Sequence, residues 1–105
     1  MDEASAENAK AGALDQDRLD DISDAISDQL VADGRDAPGG DWSAKMDKTY
    51  KYNQHTLEVY LRGVQDRLAK LNPPIKLADA DVRKLARADC GATVDKLRTD
   101  IDMAV

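Results

Sequence analysis

Residues 41–72 read DWSAKMDKTYKYNQHTLEVYLRGVQDRLAKLN, and the reading of this stretch decides the fold class. Set at 100° per residue, Trp42, Met46, Tyr50, Leu57, Tyr60, Leu61, Val64, Leu68 and Leu71 fall within an arc of about 100°, the pattern of an amphipathic helix. Asp41 is placed to cap its start, and Asn72-Pro73-Pro74 must end it, because two prolines remove two donors and push Asn72 out of the helical region. The spacing therefore predicts one long helix over 42–71, about 45 Å at 1.5 Å per residue. Asn53 is the one polar group near the middle of that arc. A buried Asn fixes register at some expense in stability, so Asn53→Leu is expected to raise the melting temperature and loosen specificity.

Upstream, Asp33-Gly34-Arg35-Asp36-Ala37-Pro38-Gly39-Gly40 is the clearest loop in the chain. Before it, Leu14, Ile22, Ala25, Ile26 and Leu30 share one helical arc, with Leu19 at its edge and Gly34 as the stop. Residues 1–13 are Ala-rich and read as a flexible N-terminal lead to a single domain over 14–105. Downstream, a third helix starts at Asp79, which can cap it, and runs to about Cys90, with Val82, Leu85 and Ala86 inward. Gly91 interrupts it, and a fourth begins near Thr93 with Val94, Leu97, Ile101 and Val105 inward. No alternation of period two is long enough for a strand. The expected architecture is all-α: an antiparallel helical bundle of four helices, with a long central helix, a shorter N-terminal helix and a broken C-terminal arm.

Charge is unevenly placed along these elements. Of 105 residues, 18 are Asp and only 3 are Glu, and the net charge is −6. Residues 1–47 carry 13 acids against 4 bases, whereas residues 48–105 carry 8 acids against 11 bases. Asp17, Asp20, Asp21, Asp24 and Asp28 share one arc opposite the apolar side of the first helix. Asp is a poor helix former, and like charges three and four residues apart repel by a few tenths of a kcal/mol per pair, roughly. A face needed only for solubility is better served by alternating Glu and Lys. The stripe thus reads as a docking surface for a partner with a basic surface, against the plainer reading of a solvated face partly neutralised by Arg and Lys of the third helix.

A second, narrower stripe of the central helix, Tyr52, Thr56, Val59 and Gly63, follows helical spacing. It marks either a helix touched by neighbours on two sides or a homo-oligomer seam in which Gly63 admits a second backbone. Lys48, Tyr52, His55 and Val59 form the exposed flank expected to complete the protein-binding surface. Lys48, Lys51 and His55 beside Tyr52 also suit single-stranded nucleic acid, but Trp42, Tyr50 and Tyr60 lie on the core arc and leave one free aromatic for stacking. His55-Thr56-Leu57 resembles the phosphate-accepting helix of histidine phosphotransfer domains over three residues only; Glu58 and Val59 stand where those domains carry Lys and Gly.

Helices three and four, joined at Ala88-Asp89-Cys90-Gly91-Ala92, form the alternative candidate, a helix-turn-helix-like DNA-binding element with Arg83, Lys84, Arg87, Lys96 and Arg98 as phosphate contacts. Against it, Asp95, Asp100 and Asp102 on the second helix oppose phosphate. Asp15 and Asp17 open like a calcium loop, but Leu19 occupies a ligand position and no Gly or closing Glu follows in register. One Cys and one His make no zinc cluster, and Cys90 reads as a small core residue. No phosphate loop, nucleophile triad or facing Glu pair is present, so the expectation is a non-enzyme without cofactor or metal. With no apolar run near 18 residues and no basic, apolar leader, no membrane association is expected and the chain reads as cytoplasmic. The resulting expectation is a protein interaction module, of adaptor, inhibitor or immunity type.

Overall fold

The computed structural model of the protein describes the backbone of residues 2–105 and the side chains of residues 16–105. The readings of residues 1–13 as a flexible lead and of Leu14 as inward lie outside the described side chains. The elements are α1 (Asp2–Ala32), α2 (Gln54–Ala69), α3 (Asp79–Ala88) and α4 (Val94–Ala104). The fold is all-α. Among the described residues the only extended pairing is an isolated antiparallel bridge between Lys45 and Thr93. No helix among them is long and apolar enough to cross a membrane.

α1 ends where Gly34 takes a left-handed conformation, φ 81°. The Arg35 amide then donates to the Leu30 oxygen at 2.9 Å and the Gly34 amide to the Val31 oxygen at 3.0 Å, so the last turn's carbonyls are satisfied. Ile22, Ala25, Ile26 and Leu30 point into the core and Leu19 sits at its edge, as the period predicts.

The central helix is half the expected length, and α1 is the longest element. Residues 41–53 turn instead of coiling helically. Asp41 accepts from the Ser43 amide at 3.2 Å and so serves a tight turn; it caps no helix. Lys51 adopts φ 64°. The segment's carbonyls serve another element: the Val94 amide donates to the Ala44 oxygen at 2.8 Å and the Asp95 amide to the Trp42 oxygen at 2.9 Å. These are the unpaired donors at the start of α4, and satisfying them holds residues 42–46 away from a helix of their own. Met46 and Tyr50 are buried all the same, and Trp42 packs partly buried against the core.

Asn53 is exposed, and the expectation that it is buried is wrong. It is the N-cap of α2 in a capping box: its Oδ1 accepts from the Thr56 amide at 2.9 Å, and its own amide donates to Thr56 Oγ1 at 2.8 Å. Beyond it Leu57, Tyr60, Leu61, Val64 and Leu68 form the buried face of α2. α3 starts as expected, but Asp79 does not cap it: Asp79 and Asp81 lie in the first turn, the N-cap position is Ala78 with no side-chain cap, and the helix ends at Ala88, before the predicted Cys90. α4 is capped by Thr93, whose Oγ1 accepts from the Lys96 amide at 3.1 Å.

α1 packs on α2 and α4, and α3 packs on the same two helices from the other side. α1 and α3 are therefore diagonal, and their outer faces point away from each other. Arg18 pairs with Asp102 at 2.9 Å and Arg98 donates to Ser23 Oγ at 3.2 Å, tying α4 to α1.

Candidate functional site

The outer face of α1 is the most distinctive surface. Asp17, Asp20, Asp21, Asp24 and Asp28 are all exposed, and none of them forms an ion pair among the described residues. Elsewhere Asp66, Asp95, Asp100 and Asp102 each hold a cation. Helical spacing puts Val31 on the same arc, seven residues beyond Asp24 and three beyond Asp28, and it is 58% exposed. Sequence reasoning passed over Val31, although its place on the acidic arc was readable.

The neighbouring bases come from α2 and not, as expected, from the third helix, which lies across the diagonal. Arg67 and Lys70 line a shallow cleft of about 360 Å³ with Asp21, Asp24 and Asp28. Both are engaged elsewhere, Arg67 Nε donating to Gln29 Oε1 at 3.0 Å and Lys70 pairing with Asp66 at 2.9 Å.

The second predicted surface is only partly available. Lys48, His55 and Val59 are exposed, Val59 by 60%. Tyr52 is not: it precedes α2 and is buried, its ring centroid 5.0 Å from that of Tyr60 and the Arg35 guanidinium 3.9 Å above its face. Its hydroxyl donates to Asp33 Oδ2 at 2.7 Å. Burial, then that hydrogen bond and the Asp33 charge, raise the Tyr52 pKa far above the ordinary phenol value. The stripe that joined Tyr52 to Gly63 is divided among roles. Thr56 serves the cap, and a Cβ on Gly63 would collide with the Gln29 side chain of α1, so α1 occupies the place read as a seam for a second copy.

On the alternative DNA-binding surface, Arg83, Lys84 and Arg87 project from α3 into solvent. Lys96 and Arg98 do not join them. Lys96 Nζ is held by Asp89 Oδ1 at 3.2 Å and Asp100 Oδ2 at 2.7 Å. Arg98 pairs with Asp95 and stacks on Trp42, 4.1 Å from the ring centroid.

Asp89 itself is fully buried, and its Oδ2 has no hydrogen-bond donor. Burial first, and then the Asp100 carboxyl within hydrogen-bond reach, push its pKa up to about 6 against the pull of Lys96. A sequence signal existed: an Asp just past the C-terminus of a helix opposes the helix dipole and so calls for another reason to be there. Cys90, read as a core residue, is half-buried, with Sγ 3.8 Å from the Tyr52 oxygen. Among the described residues no group of three or more His, Cys, Asp or Glu side chains is arranged to hold a metal ion. Comparison with family models, with curated proteins and with solved structures finds no match to this chain.

Proposed function

We propose that this chain is a non-enzymatic protein interaction module of the cytoplasm that docks a partner with a basic surface through the outer face of α1. The observation that carries the reading is the row of five exposed aspartates without an ion-pair partner among the described residues, running into exposed Val31. Each repulsion along the row opposes helix formation by a few tenths of a kcal/mol, roughly; Arg67 and Lys70 border Asp21, Asp24 and Asp28 but pair with none of them, and a basic partner supplies the missing counter-charge. Val31 supplies an apolar contact at the end of the charged row, and Lys48, His55 and Val59 offer a separate flank on and before α2.

The competing reading is a DNA-binding regulator, favoured by the exposed Arg83, Lys84 and Arg87 of α3, which form no ion pair among the described residues. It is weakened by the commitment of Lys96 and Arg98 to carboxylates. Titrating the isotopically labelled chain with an oligolysine peptide and, separately, with duplex DNA decides between them. The docking reading expects the peptide to shift resonances along 17–31, and expects Asp20→Asn, Asp24→Asn and Asp28→Asn together to abolish the shifts while the melting temperature holds or rises, since the repulsion along the row is relieved. Duplex binding that weakens steeply with salt and vanishes in Arg83→Ala with Arg87→Ala overturns it.

A further inference from the structure

The corner between α3 and α4 holds a group that the docking reading does not use. Asp89 follows the last residue of α3, its amide donating to the Leu85 oxygen at 2.8 Å, and its side chain turns inward under α4. One carboxylate oxygen, Oδ1, takes the Lys96 ammonium. The other, Oδ2, is sealed from solvent without a donor. Lys96 simultaneously holds Asp100 at 2.7 Å, so two carboxylates share one ammonium and the cluster is one positive charge short. A proton is the smallest addition that removes this deficit, and the sealed Oδ2 of Asp89, which has no partner while Oδ1 holds Lys96, is the atom left to take it.

We propose that Asp89, Lys96 and Asp100 form a proton-operated latch at the α3–α4 corner: a proton on Asp89 joins the two carboxyl groups and tightens the corner, and its release loosens it.

The charges that act on Asp89 are those of Asp100 and Lys96. Around them, Asp81 and Lys84 of α3 line, with Asp100, a cleft of about 480 Å³ outside the corner. From the segment before α2, Asp47 Oδ2 stands 3.6 Å from where a Cβ on Gly91 would lie. The partners respond in opposite senses. Burial pushes the Asp100 carboxyl up, but hydrogen bonds from Asp89 and Lys96 outweigh it and hold its pKa below the ordinary value. The hydrogen bond to Asp100, then that to Asp89, raises the Lys96 pKa.

The sign of the pH dependence follows. A carboxyl whose folded pKa is raised from 3.8 to about 6 stabilises the fold fully at low pH and loses that contribution as pH climbs through about 6. Asp100, being lowered, acts only as pH falls below its ordinary value, so between about pH 4 and 6 the Asp89 contribution in the cluster stands alone. A shift of this size corresponds to about 100-fold in the folded-to-unfolded ratio over the whole range, of which about tenfold falls between about pH 5 and 7.

The test uses the full chain. Carboxyl carbon NMR follows Asp89 from acid to neutral pH, and amide exchange, corrected for its intrinsic rate, follows the Asp89 and Ala92 amides that close the corner. The latch expects an Asp89 midpoint near 6 and about a tenfold loss of protection at those amides between about pH 5 and 7. Asp89→Asn, which keeps the shape with a neutral amide, is expected to abolish that loss, whereas Asn at Asp20, Asp24 and Asp28 leaves it in place. If Asp89→Asn does not fold, Asp100→Asn is the second variant, and the Asp89 midpoint should move down by about one unit. An Asp89 midpoint below about 4, a pH profile unchanged in Asp89→Asn, or a midpoint unmoved in Asp100→Asn overturns the proposal.

Discussion

The hydroxyl of Tyr60 donates to the main-chain oxygen of Ile26 at 2.9 Å, both residues being wholly buried, and this bond joins α2 to α1 across 34 positions of sequence. Ile26 also belongs to the α1 hydrogen-bond ladder, so its oxygen keeps a partner when the phenol is lost. Tyr60→Phe should therefore lower stability by only about 1 kcal/mol. Tyr60→Ala, which empties a core site, should lower it by about 3–5 kcal/mol. Urea unfolding of the two variants measures the difference; equal losses would show that the bond, and not the ring, carries the packing of α1 on α2.

Asn53→Leu should lower the melting temperature, the reverse of the outcome expected from periodicity. The substitution removes the Oδ1 acceptor of the Thr56 amide and exposes an apolar side chain, a loss of about 1 kcal/mol. Thr56→Ala, which removes the reciprocal half of the box, should behave similarly. Thermal melts followed by circular dichroism check both.

Gly63 and Gln29 should be coupled. An added methyl at 63 displaces the Gln29 amide and breaks its bond with Arg67, but Ala also favours the helix by about 1 kcal/mol over Gly. Gly63→Ala alone should thus change stability little. In a Gln29→Ala background the clash is absent, and the same substitution should stabilise by about 0.5–1 kcal/mol. A double-mutant cycle in urea reads the coupling directly, and additive effects would contradict the close approach of the two helices.

All three tyrosines should stay protonated in the native state past the ordinary phenol pKa. Burial is the first cause for each: it acts on Tyr60 most strongly, on Tyr52 together with the Asp33 hydrogen bond, and on Tyr50 together with the Asp41 and Asp36 charges. A group raised in the folded state supports the fold below its unfolded pKa and withdraws that support as pH rises above about 10. Phenolate absorbance should therefore rise in one step with alkaline unfolding. Gradual titration before the loss of helical signal would contradict the burial of Tyr52 and Tyr60.

The sequence by itself determined most of the side chains that make the core, Tyr52 and Leu77 excepted, and which face of α1 is acidic. Ile22, Ile26, Leu57, Leu61, Val82, Leu97 and Ile101 are inward because their spacing allows one dry face per helix, and burial of apolar surface dominates folding. Even Met46 and Tyr50 fall in the core as their spacing predicts, although the segment that carries them is not helical. The tertiary structure alone decided what conformation delivers residues 41–53 to that core. The carbonyls of Trp42 and Ala44 satisfy amides at the start of α4, some 50 residues away, and no local pattern records so distant a donor. The same holds for the site. The acidic row is periodic and legible, whereas the closure of Tyr52 beneath Arg35 and the sealing of Asp89 beside Lys96 and Asp100 come from elements meeting in space. Helical periodicity encodes facing directions, but hydrogen-bond partners and desolvation are settled only when the helices pack.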